Sequence, residues 1–263
     1  ELGIFWAYDS YWGQAYGVSA AERRLQLTSD SRTTQIKYVD GDGASSRKLL
    51  PGESYTLVRR LTAGGRVLDV RARQAQSRGV RVYAVGLKVR DARKAPAAGV
   101  RVEFRQGETV YGSATTDAQG EIATHLPPGQ YEAVASSLGV TVGDPVPLSV
   151  GDLVATEYEV ELPRLNFGRV VAAVTDDAGE PLPCKLEFRP ANPELTVDFG
   201  PETAEYAVRN LCYAPLGRFE QPLPPGEYDV LIIHGPEYDI VKPALVIKPF
   251  ADTALAARLM RSV

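Results

Sequence analysis

The residues best suited to bind a transition metal are few in this 263-residue chain: His125, His234, Cys184 and Cys212. A zinc or multi-metal hydrolase site needs several His or Cys ligands that converge. These four residues are scattered along the sequence, which argues against a metal centre contained in this chain, and no cofactor is predicted. The two cysteines could form one disulfide in an oxidising compartment, or they could remain two buried thiols.

Other patterns that carry chemistry are missing or weak. The nucleophile elbow Gly-x-Ser-x-Gly does not occur. Asp40 and Asp42 suggest calcium, but the run lacks the Gly and the terminal Glu at EF-hand spacing, so a solvated turn is favoured. The carboxylate pair Glu202 and Glu205 lies in a turn-like stretch and indicates turn polarity. The chain is therefore predicted to be non-catalytic.

Aromatic residues cluster at the start of the chain, where their flat rings could bind a ligand or pack against other residues. The cluster includes Trp6, Tyr8, Tyr11, Trp12 and Tyr16. Coplanar, exposed rings would form a stacking platform for sugars. Alternatively, the rings fill a hydrophobic core or an interface with a neighbouring domain. Aromatic residues serve these roles more often than they bind sugars. Both interpretations stay open at this stage.

Composition and charge limit the fold and the partners. Gly and Pro number 24 and 19, there are 13 Tyr and a single Met, and the net charge is −4. This profile is typical of short strands separated by many turns, so the chain is predicted to be all-β. No basic stripe is present to neutralise phosphates, which argues against nucleic acid. No apolar run approaches the roughly 20 residues of a membrane-spanning helix.

An internal repeat predicts the domain organisation. The segments LKVRDARKAPAAGVRVEFR (87–105) and AAVTDDAGEPLPCKLEFR (172–189) match, and the turn LPPGQY at 126–131 returns as LPPGEY at 223–228. The second copy carries extra residues, placed within 190–213. Alternation of period two with a turn every eight to twelve residues predicts tandem Greek-key β-sandwiches.

The N-terminal segment differs from the repeats. Alternating runs predict four strands there, at 25–28, 35–39, 54–61 and 66–73. They indicate a smaller β-sandwich or part of one. The last run, 251–263, is predicted to be a closing strand because the repeat requires one. The predicted domains are 1–80, an aromatic-rich β segment, followed by sandwiches at 81–163 and 164–263.

The repeat resembles a known fold family in several residues that it shares with that family's pattern: Val89, Asp91, Val102, Phe104, Thr116, Gly120 and the turn 126–131. Together these look like the carboxypeptidase-regulatory-like, or transthyretin-like, β-sandwich. The resemblance implies the sandwich fold and says little about function, because such domains are added to many different proteins.

A second resemblance concerns the string at 234–238, His-Gly-Pro-Glu-Tyr, which follows the strand at 229–233. It is similar to the region upstream of the metal site in CehA/McbA-type metallohydrolases of the polymerase-and-histidinol-phosphatase superfamily. In that family sandwich repeats precede a catalytic domain that opens with a His-x-His motif. This chain has no His-x-His, so the family's metal ligands have no counterparts here and no catalytic residue carries over.

Three hypotheses for function follow. The first is a non-catalytic structural or interaction module of a secreted, cell-surface or periplasmic protein, which pairs through sandwich edges with other protein chains or with copies of itself. The second is a carbohydrate-binding module, which requires Trp6, Trp12 and several Tyr on one exposed face. The third is the accessory region of a CehA/McbA-type hydrolase.

Overall fold

A computed structural model describes residues 4–9, 12–20, 24–30, 32–39, 46–152, 154, 156–200 and 207–262. Strands dominate, and one α-helix occurs among the described residues. The all-β prediction is confirmed. The predicted turn at Asp40 and Asp42, the pair Glu202 and Glu205, and Tyr11 lie outside the described residues.

The N-terminal segment forms a three-stranded sheet, a separate hairpin and the helix. Its elements are β1 (Ile4–Asp9), β2 (Gln14–Ala20), β3 (Arg24–Ser29), β4 (Thr34–Val39), β5 (Arg59–Gly64) and α1 (Val67–Gln76). The sheet has the order β1-β2-β5, and β3 pairs with β4. The strands expected at 25–28 and 35–39 are confirmed. The strand expected at 54–61 is partly wrong, because pairing with β2 begins only at Arg59.

The strand predicted at 66–73 is wrong, because this segment is the helix α1. Leu68, Val70, Ala72 and Gln74 are all buried, which reproduces the period-two pattern of a strand. The helix has this pattern because it is covered on two sides. A Cβ on Gly17 of β2 would contact Val70 and Gln74, whereas Leu68 belongs to the core of the first repeat. The alternating burial along α1 therefore results from packing against two neighbouring elements and not from the pleat of a strand.

The first repeat contains two sheets. Its strands are β6 (Tyr83–Arg90), β7 (Arg101–Gln106), β8 (Thr109–Thr115), β9 (Glu121–Leu126), β10 (Gly129–Ser137), β11 (Val140–Thr141), β12 (Val146–Val150) and β13 (Glu157–Glu161). One sheet has the order β11-β10-β7-β8, with β12 also on β10, and the other has the order β13-β6-β9. Their inward side chains form one buried cluster, in which Phe104 is fully buried.

The second repeat has the same plan with an insertion. Its strands are β14 (Gly168–Thr175), β15 (Cys184–Pro190), β16 (Ala207–Val208), β17 (Leu211–Ala214), β18 (Arg218–Leu223), β19 (Gly226–Ile233), β20 (Ala244–Ile247) and β21 (Asp252–Arg258). The sheet orders are β18-β14-β21 and β16-β17-β15-β19-β20. The C-terminal run is a strand, as predicted. β21 runs parallel to β14, as β13 does to β6.

The two repeats use the same turn chemistry. A carboxylate oxygen of Asp91 accepts bonds from the amides two and four residues later, and Asp176 does the same. Near the Pro-Pro-Gly turns, the Tyr131 hydroxyl donates to the carbonyl of Pro127 at 3.1 Å. The Tyr228 hydroxyl makes the equivalent bond to the carbonyl four residues upstream, at 2.8 Å. These bonds fix the start of the central strand in each sandwich.

Candidate interaction cleft

The four residues first considered as metal ligands do not come together. His125 lies exposed on β9, whereas His234 follows β19 and its ring meets Tyr238 edge-on at 4.8 Å. Among the described residues, no three His, Cys, Asp or Glu side chains form a group that could hold a metal ion.

Cys184 and Cys212 are free, buried thiols in the structure, which favours the second of the two alternatives over the disulfide. The register of β15 and β17 explains this, because it places Cys212 opposite Leu186 and Cys184 opposite Ala214. The two cysteines are therefore diagonal neighbours, for which Cβ separations of about 7 Å are usual. A disulfide needs a Cβ separation of about 4 Å. Burial raises the pKa of Cys184 to about 11 and that of Cys212 to about 12.

The aromatic side chains near the N-terminus do not share one face. Trp6 and Tyr8 project to the same side of β1, because they are two residues apart. Tyr16 pairs with Ala7 across the ladder and therefore projects to the opposite side. Trp12 lies in the turn between β1 and β2 and is 70% exposed. Two rings, rather than the whole set, could act together on one surface.

Trp6 is held by a cation from α1, the segment that the sequence predicted as a strand. The guanidinium of Arg71 lies between two rings, 4.3 Å from the centroid of Trp6 and 3.5 Å from that of Tyr111. It also donates a 2.7 Å hydrogen bond to the carbonyl of Tyr111. Burial lowers its pKa, and the neighbouring Tyr111 opposes that effect. This stack joins the N-terminal sheet to β8.

A cleft of about 560 Å³ lies beside this stack, between β1 and β8. Arg66 and Val67 at the start of α1 close one side of it. Its described lining combines three aromatic rings, two cations, apolar groups and two aliphatic hydroxyls: Trp6, Tyr8, Arg66, Val67, Arg101, Val110, Tyr111, Gly112, Ser113, Ala114 and Thr115. No carboxylate belongs to that described lining, and the partners of Arg66 and Arg101, which are Asp69 and Glu103, lie outside it.

One wall of the cleft is a strand edge that is open among the described strands, where β8 pairs only with β7. Thr116, just beyond β8, exchanges backbone bonds with Val100 and Gly99 on the β7 side. In an antiparallel ladder the direction of the backbone groups alternates, so Ser113 and Thr115 direct their N–H and C=O groups away from β7. Outside the β7–β8 ladder, no backbone bond of either residue occurs in the described part of the chain.

A bulge ends the open stretch at Tyr111. The register shifts between Phe104 and Arg105, so Tyr111 has no opposite residue on β7. Its carbonyl is thereby released to accept the bond from Arg71. Sequence reasoning had no signal for the bulge or for Arg71, because both depend on α1 being placed against β8.

No protein-family model matches the chain, and no curated protein matches it. Among solved structures, the TIE protein of Bacillus anthracis aligns over 99% of this chain at 14% identity with a TM-score of 0.28. This chain spans 44% of that protein's length. The minor pilin GBS52 of Streptococcus agalactiae aligns over 68% of this chain and 97% of its own, at 14% identity and a TM-score of 0.32.

The shaft pilin SpaA of Lactobacillus rhamnosus GG aligns over 69% of this chain and 97% of its own, at 12% identity and a TM-score of 0.37. Because these TM-scores are below 0.5, the all-β assignment rests on the strands of this chain. The finer resemblances, to carboxypeptidase-regulatory-like domains and to CehA/McbA-type hydrolases, stay predictions. No described helix is long and apolar enough to cross a membrane.

Proposed function

We propose that this chain is a non-catalytic structural and interaction module of a secreted or cell-surface protein, in which two sandwich repeats form one rigid unit. The predicted boundaries at 80/81 and 163/164 are part of this proposal. The observation that carries it is the way the segment between the repeats is tied to both of them. A module that transmits position or force needs such a fixed joint, because relative motion is the default between domains that share few contacts.

The connecting segment is bonded along its length. The amide of Leu162 donates to the carbonyl of Arg90, and the amide of Ala92 donates to that of Leu165. On the other side, the amide of Phe250 donates to the carbonyl of Phe167 at 3.2 Å. These bonds leave a short linker between the two cores, and each end of it is held by the repeat that it enters.

Side chains and a hairpin add direct contacts between the repeats. The guanidinium of Arg93 lies 3.8 Å from the ring centroid of Phe250. The amide of Asp198, within the insertion of the second repeat, donates to the carbonyl of Leu138 at 2.8 Å. Leu138 and Gly139 form the tight turn between β10 and β11, both with positive φ. The insertion therefore contacts the first repeat while Val197 is buried in the second core.

The test is a distance distribution between spin labels on the two repeats. Cysteines replace Gln119 and Leu216, which lie at equivalent exposed turns. Because the native thiols are buried, labelling is directed to the introduced sites, and the wild-type chain is the blank for that reaction. We expect one narrow distribution. A broad distribution, as from freely reorienting domains, would refute the rigid module.

A matched pair of variants tests whether the width of the distance distribution depends on the contact between the insertion and the first repeat. A Cβ on Gly139 would lie 2.9 Å from the Cβ of Asp198, whereas a Cβ on Gly99 would meet none of the described residues within 4 Å, and both glycines have positive φ. Gly139→Ala should broaden the distribution, and Gly99→Ala should not. The carbohydrate-binding and hydrolase-accessory alternatives stay predictions and require, respectively, sugar binding and a catalytic domain elsewhere.

A further inference from the structure

We propose that the cleft between β1 and β8 binds an extended, acidic segment of another polypeptide, which adds to β8 as a further strand. This inference rests on the proposed function, since it specifies which surface of the interaction module meets its partner. It is argued from three properties of the cleft: the open backbone groups of one wall, the length of that wall and the sign of the charge around it.

The backbone of β8 supplies the pairing groups. Ser113 and Thr115 direct N–H and C=O groups into the cleft, and a row of groups that the described strands leave unpaired is a template for an added strand. From Tyr111 to Thr115 the wall is about 13 Å long at the usual rise per residue. It therefore accommodates about five residues of an extended segment. The bulge at Tyr111 and the bond from Arg71 close the row at one end.

The opposite wall supplies apolar contact. Trp6 and Tyr8, 36% and 52% exposed, project from β1 into the cleft. Trp6 is fixed by its contact with Arg71, so its ring is already ordered before anything binds. An extended segment alternates its side chains, which lets one set contact these rings while the backbone pairs with β8.

The positively charged side chains of the cleft indicate the composition of the segment that it binds. Arg66 and Arg101 line the cleft, while their partners Asp69 and Glu103 are not part of its described lining. The pair between Arg101 and Glu103 is long, at 3.6 Å, and the Arg101 side chain is 58% exposed. Such a pair is weak in water, so an incoming carboxylate can replace it at small cost. An acidic segment is thus favoured over a basic one.

The chain itself contains a segment of this composition, which provides a defined probe. Residues 156–162 read TEYEVEL, and β13 within them is an edge strand on β6 whose glutamates are exposed. The probe is a blocked peptide of that sequence, and the control is TQYQVQL, which has the same pattern without charge. Trp12→Phe leaves Trp6 as the sole tryptophan, so its fluorescence reports on the cleft.

We expect TEYEVEL to shift Trp6 fluorescence saturably and to bind at least tenfold more tightly than TQYQVQL, with affinity falling as salt rises. Ser113→Pro removes one outward N–H and should weaken binding about five- to tenfold, the effect of one lost hydrogen bond. Its matched control is Val246→Pro on the edge strand β20, where no change is expected. Arg101→Glu should abolish the preference for the acidic peptide, whereas Arg164→Glu, similarly exposed and paired with Asp144, should retain it.

Amide resonances provide a readout that needs no variant to fold. In the wild-type chain, the amides of Ser113 and Thr115 should shift and gain protection from exchange when TEYEVEL is added. Self-association of the full chain that Ser113→Pro prevents would support the proposal and identify a second copy of this chain as the source of the segment. Equal binding of the two peptides, or no protection at these amides, would overturn it.

A sugar-binding cleft gives a different pattern. Cellohexaose that quenches Trp6 with an affinity unchanged by Ser113→Pro, together with no response to TEYEVEL, would overturn the strand-addition proposal. That result would leave the rigid module untouched, because the spin-label distances do not depend on the cleft. Conversely, a broad distance distribution with intact peptide binding would refute only the rigid module.

Discussion

Gly217 is a position in the second repeat where a single added methyl group should be strongly damaging. It ends the turn between β17 and β18, and its φ is +67°. The backbone groups around Gly217 are engaged in hydrogen bonds. The carbonyl of Gly217 accepts from the amide of Val174 at 2.7 Å, and the carbonyl of Val174 accepts from the amide of Leu182 at 3.0 Å. We therefore predict that Gly217→Ala strongly destabilises this repeat.

The magnitude follows from two contributions. A left-handed backbone costs a non-glycine residue about 1–2 kcal/mol. In addition, a Cβ on Gly217 would lie 2.7 Å from both the amide nitrogen of Leu182 and the carbonyl oxygen of Val174. These are backbone atoms held in hydrogen bonds, so relief of the overlap requires at least one bond to open, at a further cost of about 1–3 kcal/mol. The expected loss is about 2–5 kcal/mol.

A neighbouring glycine isolates the second contribution. Gly179 has a φ of +86°, but a Cβ on it would meet no atom of the described part of the chain within 4 Å. Gly179→Ala should therefore cost only the backbone strain, about 1–2 kcal/mol. The first repeat offers the same comparison, because a Cβ on Gly120 would lie 2.6 Å from the carbonyl oxygen of Val89, whereas one on Gly107 would have no described neighbour within 4 Å.

Urea denaturation followed by far-ultraviolet circular dichroism measures all four variants against the wild-type chain. The free energy of unfolding should fall more for Gly217→Ala than for Gly179→Ala, and more for Gly120→Ala than for Gly107→Ala. Equal losses within each pair would show that the turns can move away from an added Cβ. The argument that their backbone bonds hold them in place would then be wrong.

Two further predictions concern buried polar groups. Cys184 and Cys212 should resist alkylation in the folded chain at pH 7–9 and react fully in denaturant, because burial raises their pKa values to about 11 and about 12 and few thiolates are present. Rapid alkylation of the folded chain, or an intact mass two hydrogens short, would contradict this. Neither atom of the buried Gln74 amide has a hydrogen-bond partner among the described residues. Gln74→Leu should therefore raise the free energy of unfolding by about 1 kcal/mol. Gln76 is exposed on the same helix, so Gln76→Leu should leave this free energy nearly unchanged. Thermal or urea unfolding that shows a loss of stability for Gln74→Leu would count against the unpaired amide.

Local sequence predicted most of the two repeats because their information is short-range. Period-two alternation, the carboxylate turns at Asp91 and Asp176, and the Pro-Pro-Gly turns each act within a few residues. The repeat then revealed which strands correspond, and the strand at the C-terminus followed from that correspondence. These features need no knowledge of which element lies against which.

The wrong prediction for α1 and the undecided pairing of the cysteines have a common physical cause. Helix α1 was predicted as a strand because burial from two sides produced alternation in its sequence, and only tertiary packing shows that Val70 and Leu68 face different neighbours. The cysteines were left undecided because pairing depends on a register that is set by the whole β15–β17 ladder. One residue of slip would move a side chain to the other face.

The sequence by itself determined that this chain is built of strands, that it contains a repeat and where its turns lie, because propensity and turn chemistry act between neighbours in the chain. Only the tertiary structure decided that Arg71 lies between Trp6 and Tyr111, that the described strands leave an edge of β8 open beside β1, and that the insertion touches the first repeat. Those contacts join residues far apart in sequence. Their geometry depends on how helices and sheets pack, which no local pattern encodes.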